Sequence, residues 1–166
     1  MRNKKIFITG VAGLIGSSLA RYYLKKGYKV YGCDNLVGGY EDNVPKSVVF
    51  KKLDVLNTEE LIRFMTEISY DYNSDEVIYK DMPCDVVIHC AALAYEGLSV
   101  FSPSLITNNI YGGTVSVATA AIVPKAKLFV AFNSPDLEKL ISTEPPPISS
   151  SIKLIFTVLS SLQTAK

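Results

Sequence analysis

The chain lacks the features that would tie it to a membrane, a nucleic acid or a disulfide scaffold. Seventeen basic residues stand against sixteen acidic ones, a formal charge of +1, and no basic block occurs. Nucleic acids and anionic membrane surfaces are held by concentrated positive charge, so neither is an expected partner. No apolar run reaches the roughly 18 residues that a membrane span needs. The longest candidate near the C-terminus, Ile152 to Leu162, is shorter and is broken by Ser160 and Ser161. Cysteine is scarce, and Cys33, Cys84 and Cys90 are odd in number and form no C-x-x-C pair. That usage fits reduced, structural thiols in a cytoplasmic protein rather than a disulfide framework or a zinc site. Histidine occurs once, as His89, without a cysteine or acid at metal-ligand spacing, so no metal centre is expected.

What is present is a chain of 166 residues, 48% of them apolar, enough for one domain with a real core. The expected partner is a small molecule or another protein. Arg2, Lys4 and Lys5 ahead of the apolar stretch Ile6 to Ile15 have the outline of a secretory leader. Gly10 and Gly13 within that apolar region and Gly16 just after it weaken it, and the residues beyond continue its pattern without a break. The stretch is therefore read as the start of a folded domain.

Strand and helix signals alternate from there on. Lys5 to Thr9 reads as a buried strand. Leu14 to Lys26 reads as a helix with Ile15, Leu19, Ala20, Tyr23 and Leu24 on one face, closed by Gly27. Lys29 to Cys33 is a second strand ending in Asp34, and Val48 to Leu53 a third ending in Asp54. Asn57 and Glu60 form a capping-box pair for a helix from Thr58. "DVVIHC", Asp85 to Cys90, is apolar enough to be covered on both faces. Ser102 and Pro103 open a long helix towards Ile122, closed by Pro124, and Lys127 to Phe132 is a fifth strand. The pattern predicts an α/β fold, a Rossmann-like doubly wound parallel sheet of about five strands.

Two stretches resist this scheme. Ile68 to Pro83 is acidic, tyrosine-rich and longer than a connection needs; it reads as a surface insertion or as a partner-binding hairpin. Residues 134 to 166 begin with a Pro/Ser-rich segment and read as a divergent tail after a domain spanning 1 to 133. An open sheet ending at its fifth strand leaves an uncovered edge. Ile152 to Leu159 is the segment able to cover it as strand or helix; otherwise association with another chain, as a homo-oligomer, is expected.

The chemistry sits in "TGVAGLIG", residues 9 to 16. Gly10, Gly13 and Gly16 follow a strand and open a helix, and Asp34 stands eighteen residues after Gly16 at the end of the second strand. In such a loop the first glycine allows the tight turn, the second a close approach of backbone to a pyrophosphate, and the third close helix packing. Free N–H groups near Leu14 and Ile15, aided by the helix dipole, would hold the negative charge. Asp34 would accept hydrogen bonds from the adenosine ribose. A carboxylate there repels a 2′-phosphate and no arginine follows closely, which favours NAD over NADP.

With these features in place, the chain resembles the NAD-dependent epimerase/dehydratase family of extended short-chain dehydrogenases, which act on nucleotide-sugars. The resemblance is carried by "TGVAGLIG" at 9 to 16, "DNL" at 34 to 36, "LDV" at 53 to 55, "HCAA" at 89 to 92 and "SPSLITNNIYGGT" at 102 to 114. It implies that Asp34, Asn35 and Leu36 surround the adenosine ribose and that Asp54 and Val55 contact adenine. It further implies that Cys90, Ala91 and Ala92 line the path to the nicotinamide and that Asn109 belongs to the site. Asp54 is also readable as a strand-end turn residue, and Asn109 as a solvent-facing helix polar group. His89 is read as a buried, hydrogen-bonded structural residue.

The departure from the family lies in the catalytic groups. Family enzymes use a tyrosine, assisted by a lysine four residues on and a nearby Ser or Thr, to move a proton while NAD takes a hydride. Ser134 matches the serine, but no tyrosine follows Tyr111, and Leu159 and Gln163 fall roughly where the Tyr and Lys belong. The one Tyr-x-x-x-Lys, Tyr22 to Lys26, lies in the first helix and is amphipathic patterning. No catalytic residue is therefore assigned. The chain reads as the NAD-binding part of an epimerase or dehydratase, catalytically incomplete, with a truncated, frame-shifted or alternative terminus each able to explain the tail. The alternatives are a non-catalytic NAD-binding or interaction module and a reductase relative acting on another carbonyl.

Overall fold

In the computed structural model the described residues are 5–66, 68–71, 76–79, 85–93, 98–123, 126, 128–131 and 153–156. Arg2, Lys4, Cys84, Pro124, Ser134, Leu159 and Gln163, on which part of the sequence reading rests, lie outside them. The elements run β1 (Lys5–Thr9), α1 (Leu14–Lys25), β2 (Lys29–Asp34), a 3₁₀ turn (Glu41–Asn43), β3 (Val49–Lys52) and α2 (Thr58–Thr66). They continue with β4 (Ile68–Asp71), β5 (Glu76–Tyr79), β6 (Val86–His89), α3 (Leu98–Phe101), α4 (Pro103–Thr107), a π-turn (Asn108–Gly112), α5 (Gly113–Ile122), β7 (Leu128–Ala131) and β8 (Lys153–Phe156).

Six strands form one sheet in the order β3-β2-β1-β6-β7-β8, with every pairing parallel. Leaving aside β4 and β5, this is the 3-2-1-4-5-6 order of a doubly wound dinucleotide-binding fold, and the order reverses between β1 and β6. The sixth strand, β8, comes from the tail and takes the strand option that the sequence left open for Ile152 to Leu159. The insertion Ile68 to Pro83 contains an antiparallel pair, β4 with β5, that is separate from the main sheet.

Strand alternation sorts the core onto the two faces. In β1, Ile6 and Ile8 point to one side, where they pack with Val11, Leu19, Ala20 and Val30. Phe7 points to the other and packs with Leu61, Met65, Val117 and Ala120 of α2 and α5. Helix α1 buries Leu19 and Ala20 and half-buries Tyr23 and Leu24, but Ile15 at its start is exposed, because the first turn projects beyond the sheet. Gly27 ends it in the left-handed region at φ +80°, as a terminating glycine should. At α2 the Glu60 N–H donates to Asn57 Oδ1 (3.2 Å) and Asn57 Nδ2 donates back to Glu60 Oε2 (3.2 Å), a capping box whose return bond uses the side-chain amide.

The helix expected as one piece from Pro103 to Ile122 is interrupted by the π-turn. Its "NNIYGG" run combines weak helix formers with two adjacent glycines, which lowers the cost of inserting the extra residue. Among the described residues no helix is long and apolar enough to cross a membrane, and no group of His, Cys, Asp or Glu is placed to hold a metal.

Candidate functional site

A cleft of about 210 Å³ opens at the carboxyl ends of the strands, over the point where the strand order reverses. Gly10, Gly13, Asp34, Asn35, Val55, Cys90, Ala91, Ala92 and Asn109 line it, nine of the residues singled out from the sequence. Leu14, Ile15, Gly16, Leu36 and Asp54 do not. Gly38, Gly39, Leu53 and Leu93 line it without having been singled out.

The glycine loop is built by backbone geometry. Gly10 has φ +68°, and a Cβ there would lie 2.7 Å from the Ala91 nitrogen. Its N–H and that of Val11 both donate to Cys33 O (2.8 and 3.2 Å), which fixes the loop to the end of β2. Gly16 stands behind the loop, where a Cβ would intrude on the Gly10 carbonyl group. Gly13 caps α1 with no side-chain hydrogen bond, and no acidic residue occupies the first turn. The Leu14 and Ile15 amides have no acceptor within the helix, so the positive end of α1 is left for an anion. Their side chains stand in solvent, 84% and 39% exposed, so only backbone can act here.

Asp34 is buried and its carboxylate organises the adjoining loop. The Ala12 N–H donates to Oδ2 (3.0 Å) and the Leu36 N–H to Oδ1 (2.8 Å). Leu36 sits at φ +66°, a strained setting for a side-chain-bearing residue that the second bond helps to hold. Each carboxylate oxygen retains acceptor capacity, and the residue lines the cleft. Ala12 O in turn accepts from the Tyr40 N–H (3.3 Å) and Asn43 Nδ2 (3.0 Å), so residues 35 to 43 are strapped onto the glycine loop.

Asp54 is exposed and occupied by its own turn, accepting from Asn35 Nδ2 (3.1 Å) and the Leu56 N–H (2.9 Å). Val55 beside it is buried in the cleft wall, and its carbonyl accepts from the Ser116 hydroxyl. Asn109, in the π-turn, faces the cleft and accepts the Leu93 N–H at Oδ1 (3.0 Å). Cys90 also lines the cleft, but burial pushes its thiol up to about 12, so it is no nucleophile near neutral pH. Tyr22 and Lys26 do not reach the cleft. The Lys26 ammonium lies 4.8 Å over the Tyr22 ring at the far end of α1.

His89 is buried between two threonines: Thr9 Oγ1 lies 2.7 Å from Nδ1 and Thr114 Oγ1 3.3 Å from Nε2. Thr114 spends its hydroxyl proton on Ile110 O (2.7 Å), so it accepts from Nε2–H. Thr9 then donates to Nδ1 while accepting the Ala91 N–H (3.3 Å). The neutral ring that burial favours fits this arrangement.

Burial holds the imidazole down at about 4. The unfolded chain, with a histidine near 6.5, binds the proton more readily, so this contribution to stability is complete above pH 6.5 and is lost as pH falls through about 4. The loss amounts to roughly 3 kcal/mol across that window. Denaturant melts between pH 7 and 4.5 should show a steeper decline for the wild type than for His89→Gln, and parallel declines would refute the assignment.

An open parallel sheet with a glycine loop, a strand-end carboxylate and a cleft at the reversal point defines the class of dinucleotide-binding α/β proteins. The model of the NAD dependent epimerase/dehydratase family matches residues 6–147, and the chain belongs to that family, whose cofactor is NAD. It is 32% identical over 130 residues to UDP-glucose 4-epimerase of Rhizobium meliloti (strain 1021), covering 78% of this chain and 35% of that protein. The crystal structure of UDP-glucose 4-epimerase from Brucella ovis in complex with NAD superposes with a TM-score of 0.65 at 29% identity, over 77% of this chain and 35% of that one. The epimerase Mth375 of Methanothermobacter thermautotrophicus does so with a TM-score of 0.67 at 30% identity, over 80% and 36%. The chain thus spans about a third of the length of these relatives.

Proposed function

We propose that this chain binds NAD in the cleft as the cofactor-holding part of a nucleotide-sugar epimerase or dehydratase, and that the residues present here do not complete the catalytic set. The observation that carries the reading is the convergence of the glycine loop, Asp34 and the small-residue segment Cys90 to Ala92 on one cleft. The donor set suits the cofactor. Asp34 offers acceptors to the adenosine ribose, Leu53 and Val55 an apolar wall for adenine, and the first turn of α1 unpaired amides for the pyrophosphate. The nicotinamide half then falls across the sheet reversal, beside Ala91, Ala92 and Asn109. NAD when bound supplies the hydride acceptor. The chain's own residues bind and orient it.

Proton removal from a sugar hydroxyl needs a base, and no tyrosine occurs after Tyr111 in this sequence. Tyr111 itself is 71% exposed and Tyr22 is engaged elsewhere. That observation supports a second reading, a non-catalytic NAD-binding module. UDP-sugars are the substrate class to test first and the cytoplasm the compartment that the cysteine usage favours; β8 occupies the sheet edge that would otherwise have called for a second chain.

Titration calorimetry should show NAD binding, with NADP weaker because Asp34 repels the added phosphate. UDP-glucose incubated with protein and NAD should not be converted to its 4-epimer. Turnover would overturn the incompleteness, and absence of NAD binding would overturn the reading as a whole.

A further inference from the structure

We propose that His89, bridged by Thr9 and Thr114, is a positioning residue for the nicotinamide half of the cleft, setting the spacing between the segment Cys90–Leu93 and the π-turn that carries Asn109. The inference rests on the NAD-binding reading and goes beyond it by assigning a role to a residue outside the cleft lining.

The bridge adds side-chain bonds where β1 and β6 already pair through backbone, Thr9 opposite His89, and carries the connection across to α5. Thr9 ends β1, His89 ends β6 immediately before the lining residues, and Thr114 lies in the first turn of α5. From Thr9 it reaches the Ala91 N–H, on the cleft floor, and from Thr114 the Ile110 carbonyl, within the π-turn. The adjacent β6 residues Val87 and Ile88 are apolar and buried, so an apolar side chain at 89 would fill the same space without the cost of desolvating an imidazole. Both ring nitrogens are partnered, which makes the bridge a fully satisfied polar network, the kind that fixes one arrangement. The Asn109 bond to Leu93 spans the same gap from the cleft side. Cleft and core thus hold the π-turn at two heights.

The adenosine half is anchored separately. Asp34 holds the glycine loop, and Ser116, two residues further along α5, ties that helix to the Val55 carbonyl. Loss of the His89 bridge should therefore loosen one half of the cleft and leave the other in place.

The test compares NAD with ADP, which carries only the adenosine and pyrophosphate part, by calorimetry on the full chain. Thr114→Val and His89→Phe should lower NAD affinity about tenfold through lost pre-organisation and leave ADP within about twofold; Thr114→Ser, which keeps the hydroxyl, should restore NAD binding. ADP binding doubles as the check that each variant is folded. Unchanged NAD affinity in both variants, or a parallel fall for NAD and ADP, overturns the positioning role while the NAD-binding reading stands. A wild-type chain that binds ADP but not NAD, or neither, overturns both.

Discussion

Gly16→Ala is expected to cost about 3 kcal/mol or more of folding stability, a drop of roughly 6–12 °C in Tm for a chain of this size. The added methyl would press on the Gly10 carbonyl group, with the Gly10 carbonyl carbon and the Val11 Cα both 2.8 Å from the new Cβ. These are backbone atoms of a loop pinned to Cys33 O, so no rotamer change relieves the contact. Helix α1 would have to lift off the sheet, carrying the buried Leu19 and Ala20 with it. Gly13→Ala is the milder comparison: residue 13 has φ −80° and its Cβ would meet the Gly10 oxygen at a tight 3.3 Å, relieved by a shift of a few tenths of an ångström. Its stability should change by less than about 1 kcal/mol, while NAD affinity falls if, as proposed, the pyrophosphate approaches the backbone there. Thermal melts beside NAD titrations separate the two. Equal Tm losses for both variants would show that the glycines are not divided into a packing and a binding position.

The packing role of Gly16 was legible in the spacing of the glycines, as was the parallel architecture in runs such as "KIFIT" and "DVVIHC". Burial on both faces demands near-continuous apolar residues, and only a crossover topology produces it. Less legible were features set by backbone path. Gly38 and Gly39 line the cleft because the Asp34 turn, with its left-handed Leu36, sends the chain back across Ala12. Two successive glycines just after a strand-end acid were the available signal. The π-turn left only the faint mark of Gly112 and Gly113 inside a helical pattern, since a single inserted residue barely disturbs apolar periodicity. For Asp54 the geometry supplies a turn role, bracing Asn35 against Leu56, that spacing alone could not tell from a ligand contact. His89 was legible as a buried structural residue. Its reach to both sides of the cleft depends on threonines 80 and 25 residues away in sequence, which only the fold brings together.

Asp34→Ala is expected to weaken NAD by about 1.5–3 kcal/mol, the range for a hydrogen bond to a charged group. The same change removes the acceptor for two backbone donors, Ala12 N–H and Leu36 N–H, so part of any loss comes from a slackened loop. Stability should fall as well, by roughly 1–3 kcal/mol for the donors left unpaired. Asp34→Asn keeps one acceptor oxygen but turns an NH₂ towards the other N–H, and it should lie between the wild type and alanine in both measures. A thermodynamic cycle separates ribose recognition from loop support. If Asp34 accepts the adenosine ribose hydroxyls, NAD lacking the adenosine 2′- or 3′-hydroxyl binds the wild type less tightly than NAD does. The Asp34→Ala chain would then scarcely distinguish the two. If the deoxy cofactors lose the same affinity in both proteins, the carboxylate serves the loop alone and the ribose lies elsewhere. Coupling is chemically open to Asp34, because each of its oxygens is engaged by one backbone donor and can accept another, and the residue lines the cleft.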